Sequence, residues 1–403
     1  MLRRVDPAAP LALERRRMTT EIVLRVVLMF LAIVVLPGIF TGDIQHFRGV
    51  ARSISYGLLP YRDQLWEFPP LTLVTLALEP LSFGSLGLFK WIFGFGMVLC
   101  EYGSLRALRR AYPESDAAIT RAWTIGVLPI ALLAWFRNDF LAVYFATLAI
   151  IAGERRRPTT WPVALGAAAK LWPGVFILVA AVERRWRQVI AGTAVTVGGV
   201  LLWWAYSPDG VRAFLRFRRG SGLQIESLPA SIRLLGHHSQ ARGVSGAWVI
   251  DAGRFGWVEQ GSMVALAVFT AFVVGRAWRP GRDIVALAGS LVLAAMLFSR
   301  ILSPQYLVWA APAVVVLWAR GDRLVGRLFT VSVWLTLPVL LWYGSLVDGR
   351  IAVALVLLTR NAVLIGLLIV LAVRIRPARD AAVVSVDSDD DRRGDRSYDR
   401  QSV

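Results

Sequence analysis

The sequence predicts an all-α polytopic membrane protein, a bundle of about twelve transmembrane helices. The chain has 403 residues, of which 56 % are hydrophobic, and its mean hydropathy is +0.57. Charge-free apolar runs recur along almost the whole chain, and several approach the roughly 20 residues that cross a hydrocarbon core. The alternation of apolar and polar residues that a membrane β-barrel requires does not appear, so only bundled helices fit the pattern.

Clusters of arginine set the predicted topology. With the amino-terminal arginines in the cytoplasm, every second connection is again rich in arginine, as the positive-inside bias requires. Such connections include "ERRR" at 154–157, "ERRWR" at 183–187 and "RAWRPGR" at 276–282. Both termini are therefore predicted to be cytoplasmic. The predicted spans are 22–41, 86–107, 121–137, 139–153, 160–170, 171–183, 188–206, 257–275, 283–299, 305–319, 326–346 and 351–373.

Two segments depart from simple spans. Residues 69–82, "PPLTLVTLALEPLS", are short and bounded by proline, which predicts an outer re-entrant or interfacial helix. The pair 160–170 and 171–183 is also short, with "KLWP" at its apex, and broken helices at membrane depth usually line a cavity. The predicted division is a basic cytoplasmic segment (1–21), a membrane domain (22–374) with outer loops 42–85 and 207–256, and a disordered cytoplasmic tail (375–403).

Composition also narrows the classes of binding partner and of bound group that the protein can have. The net charge of +18 lies mostly between the spans rather than on one face, so no nucleic-acid partner is expected. The single cysteine, Cys100, excludes an intramolecular disulfide and a cysteine-based metal cluster. His237 and His238 are adjacent and make a poor metal site without carboxylates at suitable spacing, so no required zinc is predicted.

Candidate functional residues concentrate in the outer loops. The loop 207–256 carries seven arginines on the side where the topology disfavours them, which indicates an anionic partner such as a phosphate. Contact with anionic lipid headgroups is the alternative. The candidate cations are Arg218, Arg219, Arg300 and Lys170, and a lysine at the tip of a short hairpin would be costly in lipid without a role.

Asp43 follows the first apolar run directly, which places its carboxylate at the membrane boundary. A partly desolvated carboxylate there suits a general base that acts on the hydroxyl of a membrane-bound substrate. The alternative is that Asp43 caps an amphipathic helix from Ile44 to Gly57. His46 is expected on the same side of that helix. Asp139, which follows Asn138 at an outer helix junction, is either a site residue or a helix cap.

Several short stretches resemble one known family. Asp43, "SISYGLLPY" at 53–61 and "EFPPL" at 67–71 look like the first outer loop of bacterial glycosyltransferase family 87. These enzymes are polyprenol-phosphate-mannose-dependent mannosyltransferases of the GT-C superfamily. The resemblance spans about residues 22 to 373 and includes four further stretches. These are "RND" at 137–139, "AAAKLWP" at 167–173, "GLQIESLPASI" at 222–232 and "SRILSPQYLVWAAP" at 299–312.

The resemblance implies a GT-C-like bundle with extracytoplasmic loops and interfacial helices in the bacterial cytoplasmic membrane. It implies inverting transfer of mannose from a polyprenyl phosphate to a glycolipid or lipoglycan acceptor on the extracytoplasmic face, with Asp43 as the base. No cofactor is expected, since the lipid-linked sugar is a substrate, but a divalent metal stays open because "GDI" supplies one acid. The expected substrate-binding residues are His46, Tyr61, Asp139, Lys170, Arg218, Arg219, Gln224, Glu226, Arg300 and Gln305.

Three alternatives stay open from the sequence. A lipid or solute transporter would use the outer arginines to recruit an anion and the broken hairpin as a midplane site. Ionisable residues within the apolar stretches are few, and Glu79, Lys90 and Lys170 lie towards the predicted outer face, which favours an enzyme. A non-catalytic assembly subunit and a transferase for another sugar, such as arabinose or glucose, are the other two.

Overall fold

The fold is almost entirely helical, as predicted. A computed structural model describes residues 9–220, 222–236, 241–244, 247–250, 256–279 and 281–376, and it is 79 % helical. The helices are α1 (Ala9–Phe30), α2 (Pro37–Phe40), α3 (Gly42–Ser55), α4 (Leu73–Leu76), α5 (Leu86–Ala111), α6 (Asp116–Gly126), α7 (Leu128–Ala134), α8 (Asp139–Glu154), α9 (Thr160–Ala169), α10 (Val175–Val182), α11 (Trp186–Tyr206), α12 (Pro208–Gly220), α13 (Leu228–Gly236), α14 (Gly256–Ala277), α15 (Ile284–Leu297), α16 (Leu307–Ala319), α17 (Arg323–Leu341), α18 (Tyr343–Val347) and α19 (Ile351–Arg374). The strands are β1 (Leu223–Gln224), β2 (Arg242–Val244) and β3 (Ala247–Ile250). The predicted tail lies almost wholly outside the described residues.

Six helices in the described part of the chain are long and apolar enough to cross a membrane, or seven if one bent pair is a single span. The polytopic prediction is therefore confirmed, whereas the count of twelve is not. The bent pair consists of α6, extended back to Pro113, and α7, at an angle of 57°. The six are Arg16–Val35, Leu86–Ala111, Trp186–Tyr206, Gln260–Ala277, Arg323–Leu341 and Ile351–Arg374.

The shorter apolar helices form the interior of the bundle. In α15 almost every residue is buried, and α16 is buried along nearly its whole length. A helix that is apolar all round is stable only where neighbours cover every side. By contrast, α11 and α14 bury only 11 % of their most apolar window and present exposed leucine, valine and phenylalanine outwards. The long helices therefore form the lipid-facing wall around a core of short ones.

The connections predicted to lie on the cytoplasmic side meet at one end of the bundle, here called the arginine-rich end. Arg109 bonds Glu21 at 3.2 Å and also Asp116. Arg320 bonds Glu154 and lies 3.5 Å from Asp283. These ion pairs join the connections before α6, after α8, before α15 and after α16. The charged ends of these helices are therefore paired with one another at the arginine-rich end.

A buried ion pair fixes the first helix inside this bundle. The Arg25 guanidinium donates to both oxygens of Glu101 at 2.5 and 2.7 Å, and the Trp123 indole donates to the same carboxylate at 2.5 Å. The Arg25 side chain is 4 % exposed and that of Glu101 is fully buried. A two-pronged contact of this kind offsets part of the cost of burying both charges, so α1, α5 and α6 are held in one arrangement.

Two segments predicted to be outer loops, 42–85 and 207–256, are here called the first and second outer segments. The first outer segment begins after α1 ends. A π-helical turn at Leu31–Val35 and the short α2 break the first span, and α3 then runs as the predicted amphipathic helix. Its buried face presents Phe47, whose ring packs 5.5 Å from the rings of Trp66 and Phe68. Residues 70–82 form short 3-10 and α turns rather than one continuous helix.

The second outer segment docks on the first. The Ser207 hydroxyl donates to the Tyr61 carbonyl at 2.7 Å, and Trp203 packs 4.9 Å from the Tyr61 ring. Beyond α12, the three strands form an antiparallel sheet in the order β1-β3-β2. The two segments that are distant in sequence therefore build one end of the molecule, here called the site end.

Candidate active site

The centre of the site end is a buried ion pair between Lys170 and Asp139. Lys170 Nζ donates to Asp139 Oδ1 at 2.6 Å, and the Trp309 indole donates to the same oxygen at 2.6 Å. The Asp139 side chain is fully buried and that of Lys170 is 9 % exposed. Lys170 comes directly after α9, where its backbone turns to an extended conformation. The break in the predicted short hairpin is therefore what aims the ammonium group at Asp139.

Aromatic rings surround the Lys170 ammonium group. Nζ lies 4.8 Å from the ring centre of Tyr306, 5.0 Å from that of Trp309 and 5.9 Å from that of Phe68. Ring faces within about 6 Å attract a cation, and the attraction is stronger where water is excluded. The Trp309 ring also stacks with the rings of Tyr306, at 4.0 Å, and Trp172, at 5.4 Å. The cation is therefore held by the carboxylate and the rings together.

Asp43 lies near the buried pair, on the other side of the turn 135–138 that precedes Asp139. Arg137 Nε lies 2.5 Å from Asp43 Oδ2, and Arg137 Nη1 donates to the carbonyl groups of Phe40 and Phe136. The Asp43 side chain is 39 % exposed, whereas Arg137 is 14 % exposed. Arg137 precedes Asp139 by two residues, so the turn 135–138 connects the accessible carboxylate to the buried ion pair.

The capping alternatives for the two aspartates are wrong. Thr41 is the N-cap residue of α3 and Asn138 is that of α8, and neither makes a side-chain capping bond. Asp43 and Asp139 instead lie in the first turn of their helices, and their carboxylates bond Arg137 and Lys170. A carboxylate in the first turn is also favoured by the helix dipole. Both side chains are thus free of a capping duty and belong to the charged centre.

His46 belongs to a separate contact on the exposed side of α3. Its Nε2 lies 3.2 Å from Glu67 Oε2, and its ring stacks on Trp66. The hydrogen bond to Glu67, with smaller help from the charges of Glu67 and Asp43, raises the pKa of His46 above its usual value. Asp43 and His46 are one turn apart on α3, but each bonds its own partner.

Tyr61 is buried and holds together the loop that follows α3. Its hydroxyl donates to the Phe68 carbonyl at 2.5 Å, its backbone adopts a φ of 68°, and the residue is 5 % exposed. These contacts close the loop between α3 and the "EFPP" turn. The two prolines of that turn, Pro69 and Pro70, begin the 3-10 turn at 70–72. Phe68, just before them, is one of the rings around the Lys170 ammonium group.

Gln224 contacts Arg300, which lines a cavity. The backbone amide of Gln224 donates to the Arg300 carbonyl at 3.0 Å. The side-chain Nε2 of Gln224 donates to the Ser303 hydroxyl at 3.4 Å. Arg300, Tyr306 and Trp309 line a cavity of about 330 Å³ between α14, α15 and the segment that precedes α16. Its remaining walls are mostly apolar, and Met263 on α14 is 68 % exposed at the lipid-facing side.

Glu226 points into the protein rather than into this cavity. The residue is 2 % exposed, and its backbone carbonyl accepts hydrogen bonds from Arg360 at 2.9 Å and Asn361 at 3.4 Å. Burial raises the pKa of the Glu226 carboxyl to about 7, against the opposing effect of Arg360 and of hydrogen bonds from Tyr343 and Gln224. Glu226 thus anchors the second outer segment to α19.

The remaining predicted residues are less informative. Gln305 is buried in the 3-10 turn that precedes α16, next to Tyr306. Arg218 and Arg219 fall in the last turn of α12, but their side chains lie outside the described residues, as do His237 and His238. Among the residues that the structure describes, no group of three histidine, cysteine or acidic side chains could hold a metal ion.

The contacts described above join every stretch that pointed to one family in the sequence. The profile of glycosyltransferase family 87 matches residues 66–304, more than half of the chain. The protein belongs to glycosyltransferase family 87. A multi-pass membrane glycosyltransferase follows from that membership and from the spanning helices. The matched segment includes Asp139, Lys170, Glu226 and Arg300, whereas Asp43 precedes it. A search of curated proteins found no match.

Sequence reasoning missed three side chains of this family 87 site. Arg137 stood in the quoted "RND" stretch, and a cation two residues before a buried aspartate was a usable signal. Tyr306 and Trp309 stood in "SPQYLVW", where the spacing of three residues puts both rings on one helical side. Their contact with a lysine 136 or more residues earlier could not be read from the sequence, because nothing local indicates which helices meet.

Proposed function

We propose that this family 87 glycosyltransferase transfers mannose from a polyprenyl phosphate to a hydroxyl of a glycolipid or lipoglycan, with inversion, on the extracytoplasmic face of a bacterial cytoplasmic membrane. The observation that carries the proposal is the Asp43 carboxylate, which is 39 % exposed and bonds Arg137. Arg137 in turn lies two residues before Asp139, the buried partner of Lys170. An accessible carboxylate and a cationic centre are the two groups that such a transfer needs.

Asp43 is the best base among the acids of this site. A base must come within hydrogen-bond reach of the acceptor hydroxyl as that hydroxyl attacks the anomeric carbon. Asp139 is fully buried with one oxygen already bonded to Lys170 and Trp309, and Glu226 is 2 % exposed. Arg137 orients the Asp43 carboxylate without enclosing it.

The cavity lined by Arg300 supports a lipid-linked donor. When the glycosidic bond breaks, the polyprenyl phosphate leaves with additional negative charge, and a preorganised cation stabilises that charge. Arg300 offers a guanidinium at the cavity, and Lys170 lies behind Tyr306 and Trp309 at its inner wall. The apolar walls and the exposed side at Met263 suit an isoprenoid chain that enters from the membrane.

The experiment is transfer of radiolabelled mannose from polyprenyl phosphomannose to endogenous glycolipid, in membranes that contain equal amounts of each protein. Asp43→Asn should lower the rate by about 10²- to 10⁴-fold, since it removes the base and keeps the size of the side chain. Asp209→Asn is the matched control, because Asp209 is an outer-segment aspartate whose side chain is 91 % exposed.

Each result has a distinct meaning. Loss of transfer in Asp43→Asn with full activity in Asp209→Asn supports the assignment of the base. Equal activity in both variants would show that another acid is the base. If the wild-type protein transfers no mannose, the same assay with polyprenyl phosphoarabinose and polyprenyl phosphoglucose distinguishes a wrong sugar from a wrong donor class.

A further inference from the structure

A second cavity lies at the opposite end of the molecule from the active site. It has a volume of about 350 Å³ and lies where the connections after α8 and α10 meet the connection between α14 and α15. Five arginines and two carboxylates line its rim, and Val182, Ala277 and Leu287 form part of an apolar floor. A cavity with a cationic rim and an apolar floor matches an amphiphile with an anionic head.

The two carboxylates are already engaged. Glu183 bonds Arg185 at 3.3 Å. Asp283 accepts hydrogen bonds from the backbone amides of Val285 and Ala286, in the first turn of α15, at 2.9 and 3.0 Å. Its other oxygen lies 3.5 Å from Arg320 outside the cavity. Within the part of the chain that the structure describes, Arg184 and Arg282 form no ion pair, and the buried Nε of Arg282 has no hydrogen-bond partner. The rim therefore carries uncompensated positive charge and an unused donor.

Two of the rim arginines occupy backbone conformations that favour glycine. Arg156 has a φ of 52° and Arg184 a φ of 58°, each just after the end of a helix. A side chain raises the energy of this conformation, and glycine does not. The backbone of these turns therefore does not itself require arginine at either position.

The position along the bundle favours a lipid over a soluble anion. Trp186 and Trp278 flank the cavity on the outside of the bundle, with 51 % and 41 % exposure, and their rings lie 6.4 Å apart. Exposed tryptophan on a membrane protein usually lies at the level of the headgroups. Basic cavities between transmembrane helices at this level bind phosphate-bearing headgroups.

We propose that this cavity is a binding site for the phosphate headgroup of an anionic membrane phospholipid, separate from the active site. The Arg184 and Arg282 guanidinium groups would bond the phosphate oxygens, and the apolar floor would hold the first part of the acyl chains. Binding there would join α10, α14 and α15, and α15 and α14 are also walls of the cavity that holds Arg300.

The test uses the full-length protein, delipidated in detergent and titrated with phosphatidylglycerol, phosphatidylcholine or inorganic phosphate. The readouts are the number of lipids retained in native mass spectrometry and the shift in Tm. Wild-type protein should retain phosphatidylglycerol in preference to phosphatidylcholine. Arg184→Gly with Arg282→Gln should weaken phosphatidylglycerol binding at least about tenfold, since each surface cation contributes on the order of 1 kcal/mol.

Two features of the design keep the result decisive. Arg184→Gly removes the cation and relieves the backbone, so this single variant should fold at least as well as wild type while losing most of its phosphatidylglycerol-dependent Tm shift. The control is Arg323→Gln with Arg327→Gln, which removes the same charge from exposed positions at the same end and should keep wild-type binding.

Equal weakening in the control would overturn the proposal in favour of diffuse surface attraction. An unchanged phosphatidylglycerol shift in Arg184→Gly would overturn it as well. Displacement of the lipid by millimolar inorganic phosphate, with the same dependence on Arg184 and Arg282, would assign the cavity to a soluble phosphate. None of these readouts depends on transfer activity, so failure here is distinguishable from failure of the proposed reaction.

Discussion

Lys170 and Asp139 dominate the energetics of the site at the scale of single residues. Both side chains are removed from water, and neither charge is tolerable there without the other. Trp309 and the surrounding rings supply the additional contacts that a buried pair requires. The pair therefore has a structural role whatever it does in the reaction, and the two roles have to be separated by experiment.

Lys170→Met is expected to lower the free energy of unfolding by about 3–5 kcal/mol, because it leaves the Asp139 carboxylate buried without its cation. Lys170→Met combined with Asp139→Asn should recover most of that loss, since the asparagine is neutral and its carbonyl oxygen still accepts from Trp309. Denaturant unfolding in detergent measures both. If the double variant is as unstable as the single one, the charge account is wrong. If it is stable but inactive, the charged pair of Lys170 and Asp139 acts in the reaction.

At the scale of elements, a close approach of α9 to the following 3-10 turn positions Lys170. A Cβ on Gly166 would lie 2.8 Å from Pro173 Cβ and 3.3 Å from Phe145 Cβ. The Gly166 carbonyl also accepts the backbone hydrogen bond of Lys170 at 2.8 Å. Glycine is therefore required by the packing of the broken hairpin.

Gly166→Ala should destabilise the protein by about 1–3 kcal/mol, because Pro173 and Phe145 have to move apart. It should also lower transfer, because the displaced turn carries Lys170. Gly198→Ala in α11 is the matched control, since nothing lies within 4 Å of the added methyl group. That substitution should be neutral or slightly stabilising. Thermal unfolding compares the two, and equal effects would contradict the packing account.

The helical class, the amphipathic α3 and the break at "KLWP" could be predicted because each depends on local pattern. The number of spans could not, because α15 and α16 are apolar enough for a span but short enough for a buried core helix. The roles of Asp43 and Asp139 were also ambiguous. An aspartate near the start of a helix can be either a helix cap or a residue of the active site. Only the partners, Arg137 and Lys170, decide between them.

At the scale of the whole molecule, Glu226 connects the second outer segment to the last helix, 134 residues away along the chain. Its carboxyl has an ordinary pKa of 4.5 and a pKa of about 7 in the folded protein. The folded state therefore holds the proton more tightly than the unfolded state, and stability falls as the pH rises from about 4.5 to about 7.

Glu226→Gln should abolish this part of the pH dependence, since the amide cannot ionise but still hydrogen-bonds Tyr343 and Gln224. Tm measured between pH 4 and pH 8 should fall less steeply for Glu226→Gln than for wild type within that window. Glu114→Gln, at an exposed position, should keep the wild-type slope. A Glu226→Gln slope equal to that of wild type would mean that folding does not shift the pKa of Glu226.

The order in which the charged centre is made follows from sequence separation. Asp139 and Lys170 are 31 residues apart, within one helical hairpin, whereas Trp309 follows Asp139 by 170 residues. During synthesis, α8 would therefore be made with an acid whose counter-charge follows as soon as α9 is complete. The aromatic enclosure is added much later, when α16 arrives. The nascent hairpin can thus be neutralised by its own lysine long before the rest of the enzyme exists.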